Sequence, residues 1–182
     1  MRFRNVAIII CDIQTKTIKN LHKPNKIINN INLLLESKKY INNFKLAIGY
    51  QLAPEKLGPM SNLLHLDKID QINTKYTYSM FDKNLKQILL KNKINEIVLT
   101  GMEVQWCINQ TVRDLVNHNY IVNVPVDAVG NSREDNTIPL KRIEKFGGHL
   151  CLTEDYVAEN LQGFFDESSK WYINYLKNKN NL

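Results

Sequence analysis

No stretch of apolar residues in this chain approaches the roughly 18 that a membrane-spanning helix needs, so no membrane partner is expected. Cysteine is scarce. Cys11, Cys107 and Cys151 stand far apart, odd in number and without a Cys-x-x-Cys pair. That pattern argues against a disulfide framework and against a thiolate zinc site. The four histidines, His22, His65, His118 and His149, are isolated, with no metal-ligand spacing joining them. No Gly-x-Gly-x-x-Gly follows the first apolar run and no P-loop is present, so nucleotide binding by those routes is unsupported. No signal or transit peptide is expected either, because Met1-Arg2-Phe3-Arg4-Asn5 leads straight into a strand pattern. A cytoplasmic protein without a cofactor is the expectation.

What is present fits an ordinary globular chain. Its 182 residues, 43% hydrophobic and 23% charged, suit a single domain with one sizeable core. The net charge of +6 raises nucleic-acid binding. The lysines, however, are scattered among asparagines, as in Lys91-Asn92-Lys93 and Lys177-Asn178-Lys179-Asn180. No aromatic-basic stripe forms, so charge alone indicates only non-specific attraction, and no nucleic-acid partner is expected.

The stretch from Ile97 to Val116 organises the rest. A buried-strand signal, Ile97 to Thr100, runs into Gly101; after a short link, Cys107 opens a helical pattern with Ile108, Val112, Leu115 and Val116 inward. A cysteine in the first turn of a helix sits where free N–H groups and the helix dipole favour a thiolate. A buried core cysteine fits the same stretch.

Upstream, Val6 to Cys11 is a continuous apolar run, as in a strand buried on both faces of a parallel sheet. It ends in Asp12-Ile13-Gln14. An ionisable group there is a candidate site residue, because open α/β sheets bind ligands beyond the carboxyl ends of their strands; a turn cap is the alternative for Asp12. Asn25 to Tyr40 has helical spacing, with Pro24 at or before the first turn. Lys45 to Tyr50 is a second strand, followed by a loop of about eighteen residues, a length that is often functional. Asp70 to Asn73 forms a weak third strand, with Lys75 just past its end. A solvated surface lysine is the commoner fate of such a residue. Asp82 caps a helix to Asn92. Ile121 to Val126 and His149 to Leu152 are further strands. Thr137 to Phe146 is a helix closed by Gly147-Gly148. Terminal helices cover Asp155 to Leu161, capped by Asp155 or Thr153, and Ser168 to Leu176, before a frayed polar tail. Alternation throughout predicts an α/β fold: a three-layer α/β/α sandwich on a mostly parallel sheet with right-handed crossovers.

Asp12, Lys75 and Cys107, in this order, resemble the isochorismatase-like cysteine hydrolase superfamily. The matching pieces are Ile8-Ile9-Ile10-Cys11-Asp12-Ile13-Gln14, Lys75-Tyr76-Thr77-Tyr78-Ser79-Met80, Leu99-Thr100-Gly101-Met102-Glu103 through Cys107, and Val126-Asp127-Ala128-Val129. The loop from Gln51 to Pro59, Thr100 to Glu103 with Gln110-Thr111, and Arg142 to Glu154 resemble the isochorismatase domain-containing proteins within it. The family resemblance spans about residues 6 to 176 of the chain. The resemblance implies a Rossmann-like, six-stranded sheet and a non-proline cis peptide at Met102–Glu103 or Glu103–Val104. It implies that Cys107 is a nucleophile, Lys75 its stabiliser and Asp12 the proton acceptor, with an oxyanion hole from the Cys107 N–H and the region of Met102, Glu103 and Val104.

Because superfamily members with the cysteine act on C–N bonds, the expected substrate is a small amide, ureido or carbamoyl compound. The metal-binding nicotinamidases of this superfamily carry an Asp-x-His and a further His after the second strand. Here Gly49-Tyr50-Gln51-Leu52-Ala53-Pro54 has neither, so no catalytic metal is expected. Gln14, Gln51, Tyr50, Tyr78 and Trp106 are the candidate pocket residues; packing and loop roles fit most of them equally. A non-catalytic binding or scaffolding protein that keeps the fold is the alternative function. The resemblance also implies a homo-oligomer, a dimer or tetramer. The aromatic segment from Leu161 through Tyr172 can pack on a partner or, by the preferred reading, on its own chain.

Overall fold

The computed structural model describes residues 4–180, without the Asn180 side chain. Met1 to Phe3, and with them most of the segment read as leading into the first strand, lie outside the described residues, as do Asn181 and Leu182. The chain runs β1 (Val6–Cys11), α1 (Pro24–Ser37), β2 (Phe44–Leu52), α2 (Pro54–Leu57), β3 (Gln71–Lys75), α3 (Lys83–Lys91), β4 (Glu96–Met102), α4 (Asn109–Asn117), β5 (Ile121–Pro125), β6 (Val129–Gly130), α5 (Thr137–Lys145), β7 (His149–Cys151), α6 (Thr153–Glu159) and α7 (Glu167–Asn180). All strand pairs are parallel, in the order β3-β2-β1-β4-β5-β7.

The apolar run of β1 is buried at every position, because helices cover both faces of the strand. Val6, Ile8 and Ile10 pack with α1, α6 and α7. Ala7, Ile9 and Cys11 pack with α3, α4 and α5. Each fully buried isoleucine is worth about 1.5–3 kcal/mol relative to exposure. After β1 the chain adds β2 and β3 on one side, then crosses back to place β4 on the other. The β1–β4 boundary is therefore the topological switch point, where a crevice opens beyond the carboxyl ends.

Several sequence expectations need adjusting. The main path has six strands, but a seventh, β6, pairs Val129 with Gly101 and Gly130 with Met102. Its two residues are too short to leave a periodic signal. The long loop after β2 contains α2 and a 3₁₀ turn at Leu66–Lys68. The third strand runs on to Lys75, which is its last residue rather than a loop residue. Asp82 caps α3 by accepting from the Leu85 N–H at 2.8 Å. Helix α6, by contrast, begins at Thr153 behind Leu152 and has no side-chain cap. Thr153 instead donates its N–H and hydroxyl to Asp127 Oδ1. The tail is helical through Asn180. Trp171 stacks on Tyr40 at 4.9 Å and Tyr172 is buried against the α1 side of the sheet, so the Trp171–Tyr172 end of the aromatic segment covers its own chain, while Phe164 and Phe165 are exposed. Among the described residues no helix is long and apolar enough to cross a membrane.

Candidate active site

Three strand ends converge at the switch point. Asp12 follows β1 with φ at +53°, a left-handed conformation that a short polar side chain tolerates. Its N–H donates to the Tyr50 carbonyl at 2.9 Å, and its carbonyl accepts from Gln14 N–H at 2.9 Å and Thr17 Oγ1 at 2.7 Å. The backbone is thus held in a turn while the carboxylate points to Lys75. The side chain itself caps nothing, since Oδ2 meets only Lys75 and the Cys11 thiol and Oδ1 has no hydrogen-bond partner among the described residues, so the turn-cap reading of Asp12 fails.

Lys75 reaches past the end of β2, whose Leu52 is its register partner. Its Nζ lies 2.7 Å from Asp12 Oδ2 and 3.3 Å from Cys107 Sγ. It also donates to the carbonyls of Thr77 at 3.2 Å and Tyr78 at 3.4 Å. Only 4% of Lys75 is exposed, so the surface-lysine reading fails. Burial opposes the ammonium, but Cys11, Asp12 and Cys107 around it outweigh that and hold its pKa above the ordinary lysine value.

Cys107 follows a close backbone approach that only glycine permits. Gly101 has φ of +103°, and a Cβ there would meet the Cys11 carbonyl oxygen at 2.1 Å. This close passage sets Gly101 directly beside Cys11, its register partner on β1. The Met102–Glu103 peptide is cis. A π-helical turn, Val104–Ile108, then carries Cys107 into α4, so the cysteine precedes the α-helix rather than sitting in its first turn. Thr111 Oγ1 donates to the Cys107 carbonyl at 2.7 Å and accepts the Met80 N–H at 3.0 Å. That one hydroxyl ties the Cys107 turn to the segment following Lys75. Asp12 and Cys107 are also each 4% exposed.

The remaining expected site residues divide. The Val104 N–H donates to Asn131 Oδ1 at 2.7 Å, which removes it as an open oxyanion donor; this corrects the expectation for Val104. Met102 is buried, and Glu103 accepts from Gln105 Nε2 at 2.5 Å. Gln14 is fully buried, and its amide clamps the loop after β2 through Leu52 N–H, Leu52 carbonyl and Gly58 carbonyl. It is therefore a loop anchor and not a pocket residue. Gln51 contacts Met60 N–H and Thr74 Oγ1. Tyr50 is buried. Tyr78 and Trp106 stand 6.4 Å apart and are each 53% exposed, beside residues that hold Lys75 and Cys107.

Two residues near Asp12, Lys75 and Cys107 went unmarked in the sequence. Cys11 Sγ donates to Asp12 Oδ2 at 3.3 Å and looks like the last member of an apolar run. Asn131 follows β6 and reaches Val104 across 27 positions, with no local pattern to flag it. Among the described residues, Cys11, Asp12 and Cys107 form the one group with metal-like spacing. The Lys75 ammonium, touching Asp12 and Cys107, puts a cation there already, so these residues suit a resident metal poorly. A cleft of about 380 Å³ flanks the Cys107 turn, lined by Gln105, Asn131, Arg133 and Arg142 among others but by none of Asp12, Lys75 and Cys107.

A cysteine, a lysine and an aspartate meeting at the carboxyl edge of a doubly wound parallel sheet define a thiol-centred α/β protein. The family model for the isochorismatase domain matches residues 59–155, a span that includes Lys75 and Cys107. Isochorismatase family protein 2A of Dictyostelium discoideum is 30% identical over 177 residues, covering 87% of this chain and 84% of that protein. Isochorismatase domain-containing protein 2 of Danio rerio is 26% identical, covering 86% of this chain and 79% of that one. A solved structure named MAR1 ribonuclease from Caenorhabditis elegans superposes with a TM-score of 0.86 at 25% identity, covering 96% of this chain and 90% of its own. The chain belongs to the isochorismatase domain family, and that membership supports a hydrolase-type function.

Proposed function

We propose that this protein is a metal-independent cysteine hydrolase that cleaves a C–N bond in a small amide, ureido or carbamoyl compound. The observation that carries the reading is the single ammonium of Lys75, 2.7 Å from Asp12 Oδ2 and 3.3 Å from Cys107 Sγ in a buried cluster. Lys75 would stabilise the negative charge on sulfur. Asp12 Oδ1 is buried with no hydrogen-bond partner among the described residues, which leaves it a lone pair for the thiol proton. Cys107 attacks the carbonyl carbon, and the tetrahedral intermediate collapses to a thioester as Asp12 returns the proton to the leaving nitrogen. Water, deprotonated by Asp12, then attacks the thioester carbon; the C–S bond breaks, the acid is released, and Asp12 passes the proton to the Cys107 sulfur.

The expected result is ammonia or amine release from at least one member of a panel of small amides and ureido compounds, lost in Cys107→Ala. Release that survives this substitution would remove the nucleophile assignment. No release from any member, with ligands still binding, would favour the non-catalytic reading. The name of the matched nematode structure suggests RNA as a competitor. A triad exposed by only 4% at each residue offers a polynucleotide backbone little access, and RNA belongs in the same panel. We also propose a homo-oligomer, for which the exposed Phe164 and Phe165 on the link to α7 provide apolar surface. A monomer mass by light scattering would refute it.

A further inference from the structure

Cys11 has no part in the hydrolytic scheme, yet it stands within reach of the nucleophile. It ends β1 facing the same layer as Cys107, and both belong to one packed cluster. The two sulfurs and an Asp12 carboxylate oxygen all lie within 4.8 Å of one another. Burial, then the contact with Cys107, pushes the Cys11 thiol well up, so it rests as S–H hydrogen-bonded to Asp12 Oδ2 and does not compete as a nucleophile. Capture of a metal by the group is opposed by the Lys75 ammonium. A second thiol beside a reactive one has a different use once the first is oxidised. A disulfide needs about 2.05 Å between sulfurs, so each sulfur has to move by at most about 1.4 Å, within the sweep of a χ1 rotation.

We infer that Cys11 is the resolving cysteine for Cys107: a peroxide oxidises Cys107, and Cys11 closes it into an intramolecular disulfide that masks the nucleophile reversibly. The Cys107 thiolate attacks one peroxide oxygen. The O–O bond breaks, sulfur is oxidised by two electrons to the sulfenic acid, and the departing hydroxide takes a proton to become water. Cys11 then passes its proton to Asp12 and attacks the Cys107 sulfur. The S–O bond breaks, and the second hydroxide takes up that proton and leaves as water. In sum, two thiols and one hydrogen peroxide give one disulfide and two waters, and a dithiol reductant restores both thiols. The benefit is protection, because an unresolved sulfenic acid goes on to the irreversible sulfinic acid.

This inference rests on the thiolate character assigned to Cys107 above but not on turnover of any amide. The test treats the full-length native protein with hydrogen peroxide, blocks remaining thiols, and maps peptides by mass. The expected wild-type product has lost two hydrogens, joins the Cys11 and Cys107 peptides, and is reversed by dithiothreitol. In Cys11→Ser and Cys11→Ala the same treatment is expected to give Cys107 carrying two added oxygens, not reversed by dithiothreitol. If these variants do not fold, the wild-type cross-link map decides alone. Sulfinic Cys107 in the wild type without a Cys11–Cys107 link, or a link to Cys151 instead, overturns the inference. A disulfide that forms in a protein turning over no amide would sink only the hydrolase reading; turnover without the disulfide would sink only the resolving role.

Discussion

Removing the Lys75 ammonium should cost far more than removing a surface charge. In Lys75→Met the stem keeps its packing and only the charge goes. What remains is a buried Asp12 whose Oδ2 keeps the Cys11 thiol as its donor and whose Oδ1 has no partner among the described residues. The carbonyls of Thr77 and Tyr78 lose a donor as well. Breaking a buried pair from one side costs about 3–5 kcal/mol. For a chain of this size each kcal/mol moves the melting temperature by about 2–4 °C, so a fall of about 6–20 °C is expected. Asp12→Asn combined with Lys75→Met removes both charges and should regain part of that loss, with a coupling energy of about 0.5–3 kcal/mol. The assay is thermal and urea unfolding of the parent, both single variants and the double variant at pH 7. A Lys75→Met variant within about 0.5 kcal/mol of the parent, or a cycle that is simply additive, would refute the picture of one interdependent buried pair.

Other perturbations test separate parts of the account. Because the Lys75 pKa is raised in the fold, its stabilisation is complete below the ordinary lysine value of 10.5 and is lost as pH rises through the folded value. The stability gap between parent and Lys75→Met should therefore narrow above that pH, and a gap that widens there contradicts the assignment. Gly101→Ala places a Cβ against the Cys11 backbone at a positive φ and should cost at least about 2 kcal/mol by chemical denaturation; a neutral result would mean that the β1–β4 approach is not tight. Tyr156 donates to the buried Glu96 at 2.7 Å, an acceptor it shares with Asn123. Tyr156→Phe should lose about 1.5–3 kcal/mol, and no loss would remove that network from the stability account. Cys151 is pushed up to about 12, mainly by burial, and Cys11 is also raised, so iodoacetamide near neutral pH should label Cys107 first; preferential labelling of either other cysteine would count against the nucleophile.

How far the sequence reveals this site depends on what kind of partner each residue has. The β1 run was readable because a strand covered on both faces has to be apolar throughout, and Asp12 stood out by breaking it. Cys107 was marked by the strand, Gly101 and the helix that follows, but that stretch fits a buried core cysteine equally, and only Asp12 and Lys75 with the family resemblance favoured a site residue. Lys75 was ambiguous because β3 is an edge strand with polar alternation, and a lysine at its end looks the same whether it turns to water or to Asp12. Its burial follows from the neighbouring β2 and the loop after β3, which local pattern does not encode. Gln14 misled for a related reason: a buried amide that clamps backbone and one that lines a pocket have the same one-residue signature. Asn131 and Cys11 matter through contacts with Val104 and Cys107 far along the chain, and composition around them carries no trace of that. The π-turn at Val104–Ile108 also escaped, since its extra residue per turn leaves the helical spacing beyond it unchanged.

The central claim is that Cys107 carries the acyl or carbamoyl group during C–N cleavage. The direct measurement is the mass of the protein quenched in acid during turnover of an amide from the panel, followed by peptide mapping. The account predicts an added acyl or carbamoyl mass on the Cys107 peptide that disappears as substrate is exhausted and never forms in Cys107→Ala. Turnover with Cys107 unmodified at every time point, or an adduct on a different residue, would contradict it.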